Sequence, residues 1–440
     1  MRVYESYQAS NIDWLPSIPE TWSAKRIKGL FSLHDERNNK PLNEVNLISL
    51  YTHLGVRQHS DLEHTTGNKA RNADGYKIVN IDDIIVNIML CWMGAIGRSA
   101  YNGVTSPAYD VYTPHDGVNS SYYHYLFRTP LFSQQCFKNG HGIMMMRWRT
   151  YSPEFTSIVV PVPPREEQDQ IVRFLDWKVS EINRLISLQK AIIQNLSQTK
   201  RKIINSRITS ISERIRLKYI AKCNCYSLSE STDPEYSFRY IDIGSVNYTE
   251  GITQYEMVTF KSAPSRARRI VKKHDIIIST VRTYLKAITT IIDDEDVIVS
   301  TGFAVVQPDS ALVDSRFLEY CCKSDWFCDE VIRHSNGVAY PAITSDALMN
   351  LLIPFCDYED QKSIVSYLDT ECSKIDHIID IKEKIIDELK EFRKRLISDV
   401  VTGKIDVRGI EIPEYEYTDE EADSDSKVDD EYLDEGADDE

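Results

Sequence analysis

Residues 161–209 read PVPPREEQDQIVRFLDWKVSEINRLISLQKAIIQNLSQTKRKIINSRIT, and residues 354–402 read PFCDYEDQKSIVSYLDTECSKIDHIIDIKEKIIDELKEFRKRLISDVVT. The two stretches align without a gap at an offset of 193, matching Gln168 to Gln361, Leu175-Asp176 to Leu368-Asp369 and Ile192-Ile193 to Ile385-Ile386. Upstream the match resumes at an offset of 192, where Asp83-Ile84-Ile85 faces Asp275-Ile276-Ile277 and Ala95-Ile96 faces Ala287-Ile288. A repeat of this length and order makes the chain a tandem of domain, helix, domain, helix.

Both aligned stretches are helical by period. Steps of four and three place Leu175, Ile182, Ile186, Ile193 and Leu196 on one face, and Leu368, Ile375, Ile379, Ile386 and Leu389 on the other helix's face. Each is a coiled-coil-like seam following a proline stop, with no proline or glycine inside the helix. About 40 residues of helix make a rod of roughly 60 Å. Leu185, Leu188, Ile192, Ile378, Ile381 and Ile385 widen the stripe beyond one seam. Either they pack on the chain's own globular domains or they receive a partner subunit.

The intervening regions carry short strand-like runs: 46–51, 81–90, 109–113 and 158–162, then 239–243, 275–281, 297–299 and 304–307. Shorter helical stretches lie near 120–138 and 314–333. Each half therefore reads as an α/β or α+β domain of some 150 residues.

The net charge of −16 is unevenly distributed. Residues 411–440 hold 16 acids against Lys427, whereas the other 410 residues hold 51 acids and 50 lysines or arginines. The acidity is a tail, expected to be disordered and solubilising, with competition against nucleic acid for a basic surface as the sharper role. No apolar run is long enough for a membrane span, and the N-terminus has no signal pattern. Nine cysteines without a framework read as reduced thiols, which points to the cytoplasm.

Catalytic signatures are missing: no phosphate loop, no dinucleotide turn, no nucleophile elbow and no adenine-methyltransferase tetrapeptide. Asp360-Gln361-Lys362 resembles the end of a nuclease triad, but its counterpart Glu167-Gln168-Asp169 has no lysine, so a solvated first helical turn explains both better. His53, His59 and His64 match no zinc spacing and read as loop histidines.

Basic clusters are the positive finding. Between Lys261 and Lys286, eight basic residues face one acid, Asp275, which is a local surplus suited to phosphates and guanine edges. Lys138 to Arg149 (KNGHGIMMMRWR) has three basic residues, no acid, two glycines that permit close backbone approach to a ligand, and Trp148 to stack or pack. Arg333, Asn336-Gly337 and Tyr340 occupy the equivalent place in the second half. A third surplus runs from Lys200 to Lys218. For any single cluster, a solvated and salt-bridged surface is the alternative.

Taken together, the motifs resemble the specificity subunit of type I restriction-modification systems. They are Trp22 after Ile18-Pro-Glu-Thr, Asp83-Ile-Ile-Val-Asn with Gly94-Ala-Ile-Gly97, Ser106-Pro-Ala-Tyr109, Val160 to Gln168 with its second copy at Ile353 to Gln361, and the closing Val401-Thr-Gly-Lys-Ile-Asp406. The resemblance covers nearly everything up to residue 410. It implies two target-recognition domains (1–160 and 213–354), long helices (161–212 and 355–402) forming an antiparallel coiled coil, and a C-terminal segment (403–440). The subunit is expected to be non-catalytic. It would read a bipartite, asymmetric DNA target in double-stranded DNA and recruit two methyltransferase subunits, with restriction subunits able to join. S-adenosylmethionine, ATP and Mg would belong to those partners, with no cofactor or metal on this chain.

On this reading Arg98, Lys138, Arg147, Trp148 and Arg149 serve the first half-site. Lys261, Arg266, Arg268, Arg269, Lys272, Arg282, Lys286, Arg333 and Tyr340 serve the second. The second half lacks the tryptophan-and-glycine string after its strand, having Ser279-Thr-Val-Arg-Thr-Tyr-Leu-Lys-Ala287, so its recognition loop is not expected to follow the first. The rival readings are a coiled-coil scaffold whose domains bind protein, and a self-contained nuclease or methyltransferase that the missing motifs disfavour.

Overall fold

The computed structural model describes residues 2–419 apart from 53, 60–72, 145–147, 249–250, 293–295 and 338–340. The chain divides into two compact units, Met1–Gln189 with Lys384–Glu440, and Lys190–Glu383. Each unit takes a globular region and a part of both long helices. The described residues form eight α-helices: α1 (Ser120–Phe127), α2 (Pro130–Asn139), α3 (Ser152–Ser157), α4 (Arg165–Thr209), α5 (Ser315–Lys323), α6 (Asp325–Arg333), α7 (Ser345–Asn350) and α8 (Tyr358–Val401).

The first unit is organised on a four-stranded antiparallel sheet in the order Phe31–Leu33, Tyr109–Pro114, Ile84–Asn87, Ile96–Arg98. All four residues of Ile84–Asn87 are buried, because this inner strand is covered on both faces. Asp83 holds the turn that enters it: Oδ2 accepts from Asn80 N at 2.8 Å and Oδ1 from Thr113 Oγ1 at 2.7 Å. Helical stretch 120–138 is two helices rather than one, since Thr129 caps α2 and Pro130 occupies its first turn. Aromatic rings fill the space beneath, with Phe127 and Phe132 centroids 4.5 Å apart and Phe31 meeting Tyr123 edge-on at 5.3 Å.

The second unit repeats that sheet order with Ala221–Cys223, Phe303–Pro308, Ile276–Ser279 and Ile288–Thr290. Asp275 takes the place of Asp83, its Oδ2 accepting from Lys272 N at 2.9 Å. A second four-stranded sheet, Glu256–Thr259, Ser237–Ile241, Val297–Ser300, Ala267–Ile270, includes one parallel pair between Ser237–Ile241 and Val297–Ser300. Ser324 ends α5 and caps α6, so stretch 314–333 is likewise two helices.

Helices α4 and α8 run for 45 and 44 residues. Leu175, Ile182, Ile186, Leu368, Ile375 and Ile386 are buried, and Ile193, Leu196, Ile379 and Leu389 are half-buried. In the first unit Arg393 of α8 donates to Asn183 of α4 at 2.5 Å; in the second, Lys200 of α4 reaches Asp376 of α8 at 2.6 Å. Leu185, Leu188, Ile192, Ile378 and Ile381 are exposed, so no described domain surface covers them, while Ile385 is half-buried.

The motifs quoted above meet in one buried knot of the first unit. Trp22 Nε1 donates to Glu167 Oε1 at 2.9 Å, and Tyr4 Oη donates to the same oxygen. Gly403, at φ +76°, presses against them: a Cβ there would lie 2.5 Å from Pro19 Cδ and 3.1 Å from Trp22 Cη2. The helical turn expected to be solvated is therefore only partly so. Glu167, Gln168 and Gln361 are buried and do packing work, whereas Lys362 is exposed and pairs with Glu359 at 3.1 Å.

Candidate nucleic-acid interface

In the first unit, strand Ile96–Arg98 and the end of α2 position the candidate side chains. Arg98 donates through Nε to Asp82 Oδ1 at 2.6 Å, and its backbone N–H donates to His124 Nδ1 at 3.1 Å. Lys138, at the exposed end of α2, stands 3.7 Å from Asp13. Trp148 stacks on Phe137 with centroids 4.8 Å apart and planes at 18°, its Nε1 donating to Phe137 O at 3.1 Å. Arg149 lies over Met89, Nη2 to Sδ 3.8 Å, and exchanges backbone hydrogen bonds with His141 at 2.9 and 3.0 Å. That pairing closes a loop whose Ile143 is 94% exposed. Arg147 lies outside the described residues.

Gly140 has a different purpose from the one expected. A Cβ there would lie 2.7 Å from Trp148 Nε1 and 2.8 Å from Thr150 Oγ1, so its small size seats Trp148 rather than admitting a ligand to the backbone.

The second unit spreads its candidates over two places. On and around strand Ala267–Ile270, Arg268 lies 4.7 Å over the Phe260 ring, Lys272 sits 4.0 Å from the Tyr226 ring centroid, and Arg269 buries an Nε with no hydrogen-bond partner among the described residues. Lys261 and Arg266 are exposed nearby in sequence. The other place is the 3₁₀ turn Thr283–Leu285, flanked by Arg282 and Lys286, both at φ +51°. Lys286 Nζ is 3.7 Å from Asp325, and Tyr284 is exposed at the tip. Arg333 is exposed and paired with Glu330 of its own helix. Tyr340 lies outside the described residues, as do His53 and His64.

The two turns after the inner strands agree at one end and differ at the other. In the first unit a 3₁₀ turn, Cys91–Met93, also follows the inner strand and is closed by Gly94 at φ +92°. Lys286 closes the second turn in the same left-handed conformation, 192 positions later. The left-handed close is shared although the tryptophan-and-glycine string is absent, but the entry is not: Arg282 is left-handed at φ +51° where its counterpart Leu90 has φ −120°, and a lysine stands where strain-free glycine closes the first turn.

Part of the third basic surplus is spent inside the second unit. Arg201 and Asn205 clasp Asp325, Lys200 pairs with Asp376, and Arg214 lies 5.4 Å over the Trp326 ring.

Sequence reading missed a cleft of about 950 Å³ in the first unit. Arg57, Arg98, Arg128 and Arg393 line it, with Trp92 and Phe137 on the side toward Trp148. Burial, reinforced by Arg128, Arg98 and Arg57, holds His124 down to about 3, so the ring is neutral and its Nδ1 accepts from Arg98. These arginines come from four separate segments, and no local pattern announces them. Among the described residues, no three His, Cys, Asp or Glu side chains gather as a metal site requires, and the nine cysteines are unpaired. No helix among them is long and apolar enough to cross a membrane.

The model of the type I restriction modification DNA specificity domain matches residues 19–198 and 215–391. The chain is 23% identical over 423 residues to the type I restriction enzyme MjaVIII specificity subunit of Methanocaldococcus jannaschii, covering 89% of this chain and 95% of that one. It is 26% identical over 144 residues to the HindI specificity subunit of Haemophilus influenzae, 32% of this chain and 30% of the relative. A chain from a solved structure concerned with assembly and conformational transition of the type I R-M system superposes with a TM-score of 0.65 at 13% identity, over 88% of this chain and 99% of that one. The chain belongs to the type I restriction modification DNA specificity family, as a specificity subunit with that family's mixed α/β fold and long helix.

Proposed function

We propose that each globular region reads one half of a split, asymmetric target in double-stranded DNA. The observation that carries this reading is the repeated sheet with a basic or aromatic turn at the same place in each unit: Trp92 and Gly94 beside Arg98 in one, Arg282 and Lys286 in the other. A shared frame with different side chains is what two different half-sites require. Arg98, Lys138, Arg147, Trp148 and Arg149 serve the first half-site. Lys261, Arg266, Arg268, Arg269, Lys272, Arg282, Lys286, Arg333 and Tyr340 serve the second.

In this reading the recognition domains span 1–160 and 213–354, and α4 and α8 form an antiparallel coiled coil that sets the unread spacer. Their buried seams and the Asn183–Arg393 and Lys200–Asp376 contacts support it. Domains about one DNA turn apart, near 34 Å, would address successive major grooves. Exposed Leu185 and Leu188 in the first unit, and exposed Ile192, Ile378 and Ile381 in the second, offer apolar surface to the two methyltransferase subunits. This chain performs no chemistry itself. The methyltransferases would supply S-adenosylmethionine chemistry, and restriction subunits, where they join, would bring ATP and Mg.

The test is the map of methylated bases in the source genome with and without this gene. Loss of one split, adenine-methylated motif on deletion is expected and would reveal both half-sites and the spacer. An unchanged map, with the partner genes expressed, would overturn the reading.

A further inference from the structure

Beyond α8 the described chain, to Asp419, stays on the first unit. Gln170 Nε2 donates to the carbonyls of Val407 and Ile410 at 3.1 and 2.8 Å, and further along α4 Asn183 Nδ2 donates to Thr418 O at 3.1 Å. Thr418 N donates in turn to Ser180 Oγ at 3.2 Å. The segment thus follows α4 in chain direction and ends in the arginine-lined cleft, where Tyr417 and Asp419 join the lining and Asp419 pairs with Arg57 at 2.7 Å. Residues 420–440, outside the described part, carry 12 acids against Lys427. The described chain therefore delivers a polyanion to the mouth of a cationic cleft.

We propose that this cleft is the docking surface of the chain's own acidic C-terminal segment, residues 417–440, which competes with DNA phosphates for the basic face of the first domain. The competitor role rests on the DNA-recognition reading above. Arg98 and Phe137 line the cleft and Phe137 carries Trp148, so the tail and the first half-site share a continuous surface. A tethered competitor acts at an effective concentration in the millimolar range without any partner. Its attraction is screened by salt, as is that of non-specific DNA. Phosphate contacts alone then fail to displace it, whereas a target that adds base contacts succeeds, so the tail sharpens discrimination against random DNA.

Two measurements on the full-length chain test this. Zero-length carbodiimide coupling reads proximity without DNA: Lys394, which lines the cleft, is expected to couple to carboxylates within 420–440 of the same chain, as isotope-mixed samples would establish, and to lose that coupling in high salt. Binding to random-sequence DNA is then compared, in the assembled methyltransferase complex, for the native chain and a variant with every tail acid from 419 onward changed to its amide. The variant should bind about 10-fold more tightly at about 50 mM salt, and the two should converge as salt rises. Absence of Lys394 coupling, coupling only between copies, or equal affinities at low salt would overturn the proposal. Failure of the recognition reading would show separately, as no preference of either chain for its target over random DNA.

Discussion

Tyr125 Oη donates to Asp176 Oδ1 at 2.7 Å, tying α1 to the long helix α4, and Tyr320 Oη ties α5 to Asp369 of α8 in the same way at 2.6 Å. Gln168 and Gln361 add a second tie, accepting from the backbone N–H of Asn119 and Asp314, the cap residues of α1 and α5. The repeated polar residues are thus joints between a domain and its helix. Burial holds the Asp176 carboxyl above the ordinary aspartate range. Its protonated form is favoured by folding, so the associated stability is fully present below the ordinary aspartate value and is lost as pH rises through the raised one. Asp176→Asn, which keeps an acceptor for Tyr125, should flatten the dependence of the melting temperature on pH above the ordinary aspartate value, and Asp176→Leu should lower it at every pH.

His124 titrates with the opposite sign. With its folded value down at about 3, below the unfolded one, its contribution is present above the unfolded value near 6.5 and is lost as pH falls toward 3. Lowering pH from 7 to 5 should cost the first unit about 1–2 kcal/mol. His124→Asn should remove most of that slope in denaturant titrations at the two pH values.

Lys286 holds a left-handed backbone where the first unit has Gly94. Lys286→Gly should stabilise the protein by up to about 1 kcal/mol while weakening DNA binding several-fold, and Gly94→Ala should destabilise by about 1–2 kcal/mol. Thermal melts and binding titrations of the same samples check the opposed signs. A lysine kept for structure alone would leave DNA affinity unchanged.

Gly403 closes the knot against Pro19 and Trp22 at a positive φ. Gly403→Ala combines a disfavoured left-handed conformation with overpacking and should cost about 2–4 kcal/mol, read as a lower denaturation midpoint with an unchanged slope.

Arg149 and Arg268 distinguish base reading from phosphate holding. An alanine variant of a base reader should lose about 1–3 kcal/mol at one base pair of one half-site only, whereas a phosphate contact should weaken all sequences alike and reduce the salt slope by about one. Binding to a panel of single-base target variants separates the two.

What the residue order determined by itself is local or periodic. The 193-residue repeat, the two long helices with their seams, the buried strand around Ile84–Ile85 and its copy around Ile276–Ile277, and the concentration of the net negative charge in the tail were all legible, because period and proximity along the chain are carried by neighbouring residues. Only the tertiary structure decided the rest. Arg57, Arg98, Arg128 and Arg393 form one cleft although they are far apart in sequence; Gly140 serves Trp148 rather than a ligand; Glu167 is buried under Trp22; and Lys200 and Arg201, the first of the third surplus, are engaged by Asp376 and Asp325. Whether a charge faces DNA, a carboxylate or an aromatic ring depends on which distant segment folds against it. The shared left-handed turn at Gly94 and Lys286 was hidden for a related reason: backbone conformation is imposed there by the strands on either side, and the side chains that occupy it need not resemble each other.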